Sequence, residues 1–193
     1  MLVSTFEVLV KPQLPRASDL PPGVPVPPGL GNLSRNVLQG YFLTIANVNF
    51  FPVTVSVVFT LKFPENPGGA IPSPVNFDDF LNAVDISGVN LFAANPSAKL
   101  VPEVVPQNNK ARITFTLPEN GTGLLILQPN ILNSQIITDA NFEARGYVEI
   151  FLSSLSGSDE ATLLITPEQR GTFFKDLNGA TPAEVGLDQI AYA

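Results

Sequence analysis

The residues with the clearest capacity for chemistry lie in "DANFEARG", where Asp139, Asn141 and Glu143 follow an i, i+2, i+4 spacing that could offer oxygen ligands to a hard cation. A helix-flanked calcium loop also needs glycine at its sixth position and an acid at its twelfth. Those positions hold Ala144 and Ile150. The spacing therefore reads as the entry to a strand, and no metal or other cofactor is expected.

The chain contains no histidine and no cysteine. Their absence removes Ser-His and Cys-His nucleophiles, imidazole and thiolate metal ligands, and disulfides. A hydrolase would have to rely on two carboxylates or a Ser-Lys pair, and a glycoside hydrolase or lyase is the form it would take. Candidate acids such as Asp78, Asp79, Glu149 and Glu160 are present, but no spacing singles out a pair. The glycines in "PPGLGN" and "NGTGLL" lack the G-x-G-x-x-G arrangement of a phosphate cradle and read as turn punctuation. A non-catalytic protein is the first expectation.

Chemistry of another kind, recognition, is suggested by "ARGYVEIFLSS". At strand spacing Arg145, Tyr147, Glu149 and Phe151 share one face, opposite Val148, Ile150 and Leu152. Arginine and aromatic residues are enriched in protein interfaces, and lysine, common on ordinary surfaces, is missing from this stretch. The competing reading is a face packed inside the same subunit. Glu168 and Arg170, in "TPEQRGTFF" beside Phe173 and Phe174, repeat the mixture of paired charge and aromatic area. These six residues form the candidate interaction surface.

Composition points the same way. Of 193 residues, 45% are hydrophobic and 14% charged, against about 25% charged in ordinary soluble domains. Fourteen phenylalanines and a positive mean hydropathy leave more apolar surface than a monomer should expose, so a homo-oligomer is expected. The net charge of -7 makes the chain acidic, and its basic residues are scattered singly, which excludes the clustered footprint of a nucleic-acid binder. Three tyrosines and no tryptophan give little platform for sugars, so a carbohydrate or small-molecule binding module, its ligand unidentified, is the alternative. Met1 leads into "LVSTFEVLV" without a basic region or cleavage site; no secretion signal is expected, a soluble chain is, and the compartment stays open. No motif is specific enough to carry residue roles over from a known family.

The elements that must position these residues are strands. In "PVTVSVVFTLKF", Val53, Val55, Val57, Phe59, Leu61 and Phe63 occupy alternate positions, which is a half-buried ribbon rather than a membrane span. "YFLTIA" precedes it as a second strand, with "NVNFFP" as the connection. Leu2, Phe6, Val8 and Val10 predict a first strand, Ile113, Phe115 and Leu117 another, and Val148, Ile150 and Leu152 another. "GLLILQ" and "TLLIT" are solid apolar runs suited to central strands. Asn120–Gly121 within "PENGT" predicts a β-hairpin over 111–128. Short helical turns are expected at "NFDDFLNAV" (76–84), "TPEQ" (166–169) and "TPAE" (181–184). The sum is an all-β chain, read as a single antiparallel two-sheet β-sandwich domain over 1–193, of the immunoglobulin-like or jelly-roll kind. A Pro-rich segment at 12–35 is read as a loop or an exchanged arm, and 175–193 as an extended tail.

Overall fold

The computed structural model describes residues 1–14, 21–23, 25, 35–62, 81–85, 97–98, 101–102, 110–130, 134–174 and 188–192. Eleven strands account for most of them: β1 (Leu2–Pro12), β2 (Asn36–Asn47), β3 (Val53–Lys62), β4 (Leu81–Asp85), β5 (Ser97–Ala98), β6 (Val101–Pro102), β7 (Lys110–Leu117), β8 (Thr122–Pro129), β9 (Phe142–Leu152), β10 (Leu163–Phe174) and β11 (Asp188–Tyr192). A short helix, α1 (Ser134–Asp139), precedes β9, and a single 3-10 turn (Ser154–Ser156) follows it. Every pairing is antiparallel, in the order β5-β4-β8-β2-β1-β9-β3-β7-β6, with β10 on β2 and β11 on β10. The chain is thus all-β. Among the described residues no helix is long and apolar enough to cross a membrane.

β2 organises the topology. One of its edges pairs with β10 along its whole length, from Asn36 opposite Phe174 to Asn47 opposite Leu163. On the other side it serves two strands in turn: Asn36–Gln39 face the end of β1, and Tyr41–Ala46 face β8. β1 therefore lies between β2 and β9 of its own chain, with Gln13 N–H donating to the Arg35 carbonyl just beyond the ladder. Most of the Pro-rich segment lies outside the described residues.

The apolar alternation gives the main core. Phe6 and Val8 of β1, Tyr41, Leu43 and Ile45 of β2, the odd residues of β3 from Val53 to Leu61, Ile113, Phe115 and Leu117 of β7, Leu125 and Leu127 of β8, and Val148 and Ile150 of β9 pack together. Phe6 is central: its ring meets Tyr41 at 5.3 Å and Phe59 edge-on at 5.9 Å between centroids. Burial pushes the Tyr41 phenol above its usual pKa, and a 2.7 Å hydrogen bond with the Ser4 hydroxyl opposes part of that shift.

Five expectations need correction. β7 and β8 are joined by a tight turn, with Gly121 N–H donating to Pro118 O and Asn120 at φ 54, yet they do not pair with each other. β7 pairs with β3 and β6, and β8 with β2 and β4, so the Asn-Gly turn makes an arch instead of a hairpin. Leu2 points outward and is 67% exposed, because a register shift between Leu2 and Ser4 displaces it from the face of Phe6. Leu81–Asp85 is strand on the edge of β8, where a helix was expected over 76–84; residues 76–80 lie outside the described set, as does 181–184. Thr166–Gln169 is also strand, opposite Tyr41–Thr44, and Pro167 is tolerated because β11 covers only Gln169–Phe173 of that edge. "TLLIT" is not buried on both sides, since Leu164 faces solvent.

The helix α1 has no counterpart among the expected elements. Ile136, Ile137 and Ala140 lie within one turn and pack on Val10 and Phe174 as a second, smaller apolar cluster, at the end of the strands away from the β2–β3 loop. Within the expected tail, Asp188–Tyr192 is strand; its remaining residues lie outside the described set.

Candidate functional site

The outward face of β9 is built by the two strands that hold it. β1 and β3 pair along its edges, so each outward side chain on β9 has fixed neighbours: Arg145 lies between Glu7 and Lys62, Tyr147 between Thr5 and Thr60, and Glu149 between Leu2 and Val58. Phe151 lies opposite Ser56. The close approach of these strands requires glycine at 146, where a Cβ would overlap the carbonyl oxygen of Thr60. Arg145, Tyr147 and Phe151 are exposed and Glu149 is half-buried, so no described part of this chain packs over the face.

Charges on this face are neutralised locally. Arg145 Nε donates to Glu7 Oε1 at 2.6 Å and its Nη2 to Glu143 Oε1 at 2.8 Å. Glu143 also binds Lys11, and Lys110 Nζ stands 4.0 Å from Glu149 Oε2. Glu7, Glu143 and Glu149 thus serve as counter-ions to strand cations. Asp139 ends α1, whereas Glu143 is committed to Lys11 and Arg145.

Beside β9 lies β3. The expected half-buried ribbon needs correction: Val53–Leu61 of β3 is buried on both faces, although its outward positions carry mostly small hydroxyl residues, because that face is covered as well as the core face. Thr54 pairs with Thr116 and Ser56 with Thr114, hydroxyl to hydroxyl at 2.8 Å across β3 and β7. At Thr60 the pattern breaks, because its partner is Lys110, which carries no acceptor. Thr60 Oγ1 is buried without a hydrogen-bond partner.

Glu168 and Arg170 are not part of this surface. They sit on β10, which the pairing order separates from β9 by β2 and β1. There Arg170 Nε donates to Glu168 Oε2 at 3.0 Å, and the guanidinium lies 4.5 Å from the centre of the Phe42 ring. The expected group of six is therefore four residues on one face and two on another.

Sequence reasoning missed Leu2 and Leu155, which extend the apolar area. Leu2 is opposite Glu149, and Leu155 stands on the 3-10 turn that Ser153 ties to β3 through its N–H to Thr54 O. It also passed over the "NVNFFP" loop as a mere connection. Asn47, 1% exposed, holds that loop: its Nδ2 donates to Phe51 O and Pro118 O, both at 2.8 Å, while its Oδ1 accepts from Asn49 N at 3.0 Å and Asn49 Nδ2 at 2.7 Å. Asn49 in turn exchanges two bonds with Thr162. The Asn47 and Asn49 amides thus tie together the β2–β3, β7–β8 and β9–β10 connections, leaving Phe50 85% exposed at the tip. The signal available in the sequence was an Asn-x-Asn followed by two phenylalanines in a loop.

No protein-family model, curated protein or solved structure matches this chain, and the reading of its surfaces rests on their own geometry.

Proposed function

We propose that this protein is a single-domain two-sheet β-sandwich that acts without catalysis, by associating with a second copy of itself through the outward face of β9. Support for the sandwich comes from the connections: β2 and β3, like β7 and β8, follow each other through short loops yet pair with different neighbours. Such connections bridge layers in sandwich folds.

The observation that supports the association is the apolar area on and beside β9: Leu2, Tyr147 and Phe151 are exposed, with Leu155 on the turn that follows β9, around charges already compensated within the chain. A balanced face of this kind suits a like surface better than a strongly charged partner, and two-fold contacts between identical faces are the commonest form of assembly. Aromatic residues near the centre of such a patch contribute most of the binding energy.

Light scattering after size exclusion tests the reading. The wild-type chain is expected to exceed the monomer mass at micromolar concentration, and Phe151→Arg to lower the particle mass while an exposed control on β10, Thr166→Arg, leaves it unchanged. A wild-type monomer, or equal loss in the control, would overturn it.

A further inference from the structure

β10 is paired along the whole of one edge and along only part of the other. β2 lines it from Leu163 to Phe174, whereas β11 covers Gln169–Phe173. The direction of the backbone groups on the uncovered stretch follows from β2. Asn47 N–H donates to Gly121 O on the β8 side, so the odd residues of β2 turn their backbone groups toward β8 and the even ones toward β10. Thr44 and Ala46 stand opposite Thr166 and Leu164, which leaves Leu163, Ile165 and Pro167 with their backbone groups directed away from β2. Pro167 agrees with this parity, because only at an outward position does proline cost no bond to β2. Among the described residues no strand pairs with 163–167 on that side.

The side chains there suit an edge that another strand covers. Leu163 and Ile165 pack against the main core yet stay half-buried, and Leu164 is 61% exposed. Residues 161–167 carry no charge. An uncharged apolar edge is a template for a further strand. The open stretch is also bounded at both ends: Thr162 gives its N–H and its carbonyl to the Asn49 side chain, and Tyr192 of β11 stands opposite Gln169.

We propose that two copies of the chain pair edge to edge through residues 163–167 of β10, antiparallel, about a two-fold axis at Ile165. In that register Ile165 exchanges both backbone bonds with Ile165 of the second copy, and the Leu163 N–H of each copy donates to the Pro167 carbonyl of the other. Both outward donors are used, and the donor that proline lacks falls at the end of the ladder. A second copy is the occupant because it offers a free strand of the same length as the gap. Moving the axis toward Pro167 drives the copy into β11, and moving it toward Leu163 leaves the Pro167 carbonyl outside the ladder. Half-buried Leu163 and Ile165 then meet their own counterparts, and no like charges face each other. This contact is separate from the β9 face, since β2 and β1 lie between β10 and β9 in the pairing order. A chain with two different two-fold contacts assembles beyond a dimer, as a closed tetramer or a row.

The test uses the full chain in a Phe151→Arg background, so that the β9 face does not contribute, with sedimentation velocity as the readout. The background is expected to be a dimer at micromolar concentration. Adding Ile165→Pro removes the donor at the axis while leaving the bonds to β2, and should give a monomer that still melts cooperatively. Register is read from exposed side chains alone. Leu164 of one copy faces Thr166 of the other with Cα atoms about 4.5 Å apart, whereas Leu164 and its own counterpart lie on a diagonal of about 7–8 Å. The chain has no cysteine, so Leu164→Cys and Thr166→Cys variants carry one thiol each. Oxidising their mixture should cross-link a dimer, and oxidising either alone should give little. Thr166→Arg keeps every backbone group and can lay its aliphatic stem along Leu164 of the copy, so it leaves this contact in place. A monomeric background, a folded Ile165→Pro variant that stays dimeric, or Leu164→Cys cross-linking alone as well as the mixture does would each overturn the proposal. A monomeric background beside an associated wild type leaves the β9 reading standing and this one fallen; a background equal in mass to the wild type, with the mixture cross-linking, does the reverse.

Discussion

The two exposed apolar regions differ in what fixes them. On β9 the stretch Arg145–Glu149 is held by ladders on both edges and Phe151 by the β3 ladder, so the surface follows from strand register. At the loop end no ladder reaches Phe50, and position depends on the side chains of Asn47 and Asn49. A strand-borne surface is distributed over many backbone bonds and resists single changes outside its tightest contacts. A loop-borne one concentrates its support in a few contacts, here the Asn47 and Asn49 amides and two backbone bonds to the β7–β8 turn.

The largest effect should come from Gly146→Ala. Its Cβ must displace the Thr60 carbonyl in the middle of the ladder, and a loss of about 3 kcal/mol in unfolding free energy is expected from such overpacking. Urea unfolding measures it; a change within error would mean that β9 and β3 separate easily and that the ladder is not what fixes the face. Asn47→Ala should cost less, about 2 kcal/mol, by removing the buried amide that bridges Phe51 O, Pro118 O and Asn49. Its distinguishing mark is local: amide exchange should rise at 48–51, 118–121 and 162 and stay slow in β9. Equal acceleration in both regions would erase the contrast between them. The smallest effect has the opposite sign. Thr60→Val replaces an unsatisfied buried hydroxyl with a methyl of the same shape, and a gain of up to about 1 kcal/mol is expected. Destabilisation would show that the hydroxyl is satisfied in solution.

How much of this was legible depended on the range over which each feature is determined. The faces of β3, β7 and β9 were readable because alternation is a property of consecutive residues, and Val53–Leu61, Ile113–Leu117 and Val148–Ile150 keep it without interruption. The turn at Asn120–Gly121 was readable for the same reason, since its backbone conformation is local. What the turn connects was not. The partners of β7 and β8 are strands distant in sequence, β3 for the first and β2 for the second, and local residues do not specify them. The strand at Leu81–Asp85 hid behind an acidic, helix-like approach, and its identity comes from pairing with Leu125–Pro129. Proline at 167 suggested a helix start, but a stretch of edge beyond β11 accepts it equally well. For α1 a signal existed: Ile136 and Ala140 stand four apart, Ile137 and Ala140 three apart, the spacing of one helical face.

Of the candidate surface, the β9 quartet was legible because four alternate residues of one strand must share a side. Glu168 and Arg170 were grouped with it by chemical likeness, and likeness carries no information about which strands are neighbours. Leu2 joined the surface through a bulge that no alternation rule foresees.

The position of β1 in the pairing order bears on how the chain is made. Only Leu9–Pro12 finds a partner in β2; the stretch from Leu2 to Val10 pairs with β9, whose sequence starts at Phe142. During synthesis from the amino terminus, Phe6 and Val8 therefore emerge long before the strand that covers them. Until then the growing polypeptide carries an open, apolar strand edge, which is a template for unwanted pairing. Folding of this architecture is a late event in translation, and the nascent chain is the stage at which it most needs protection.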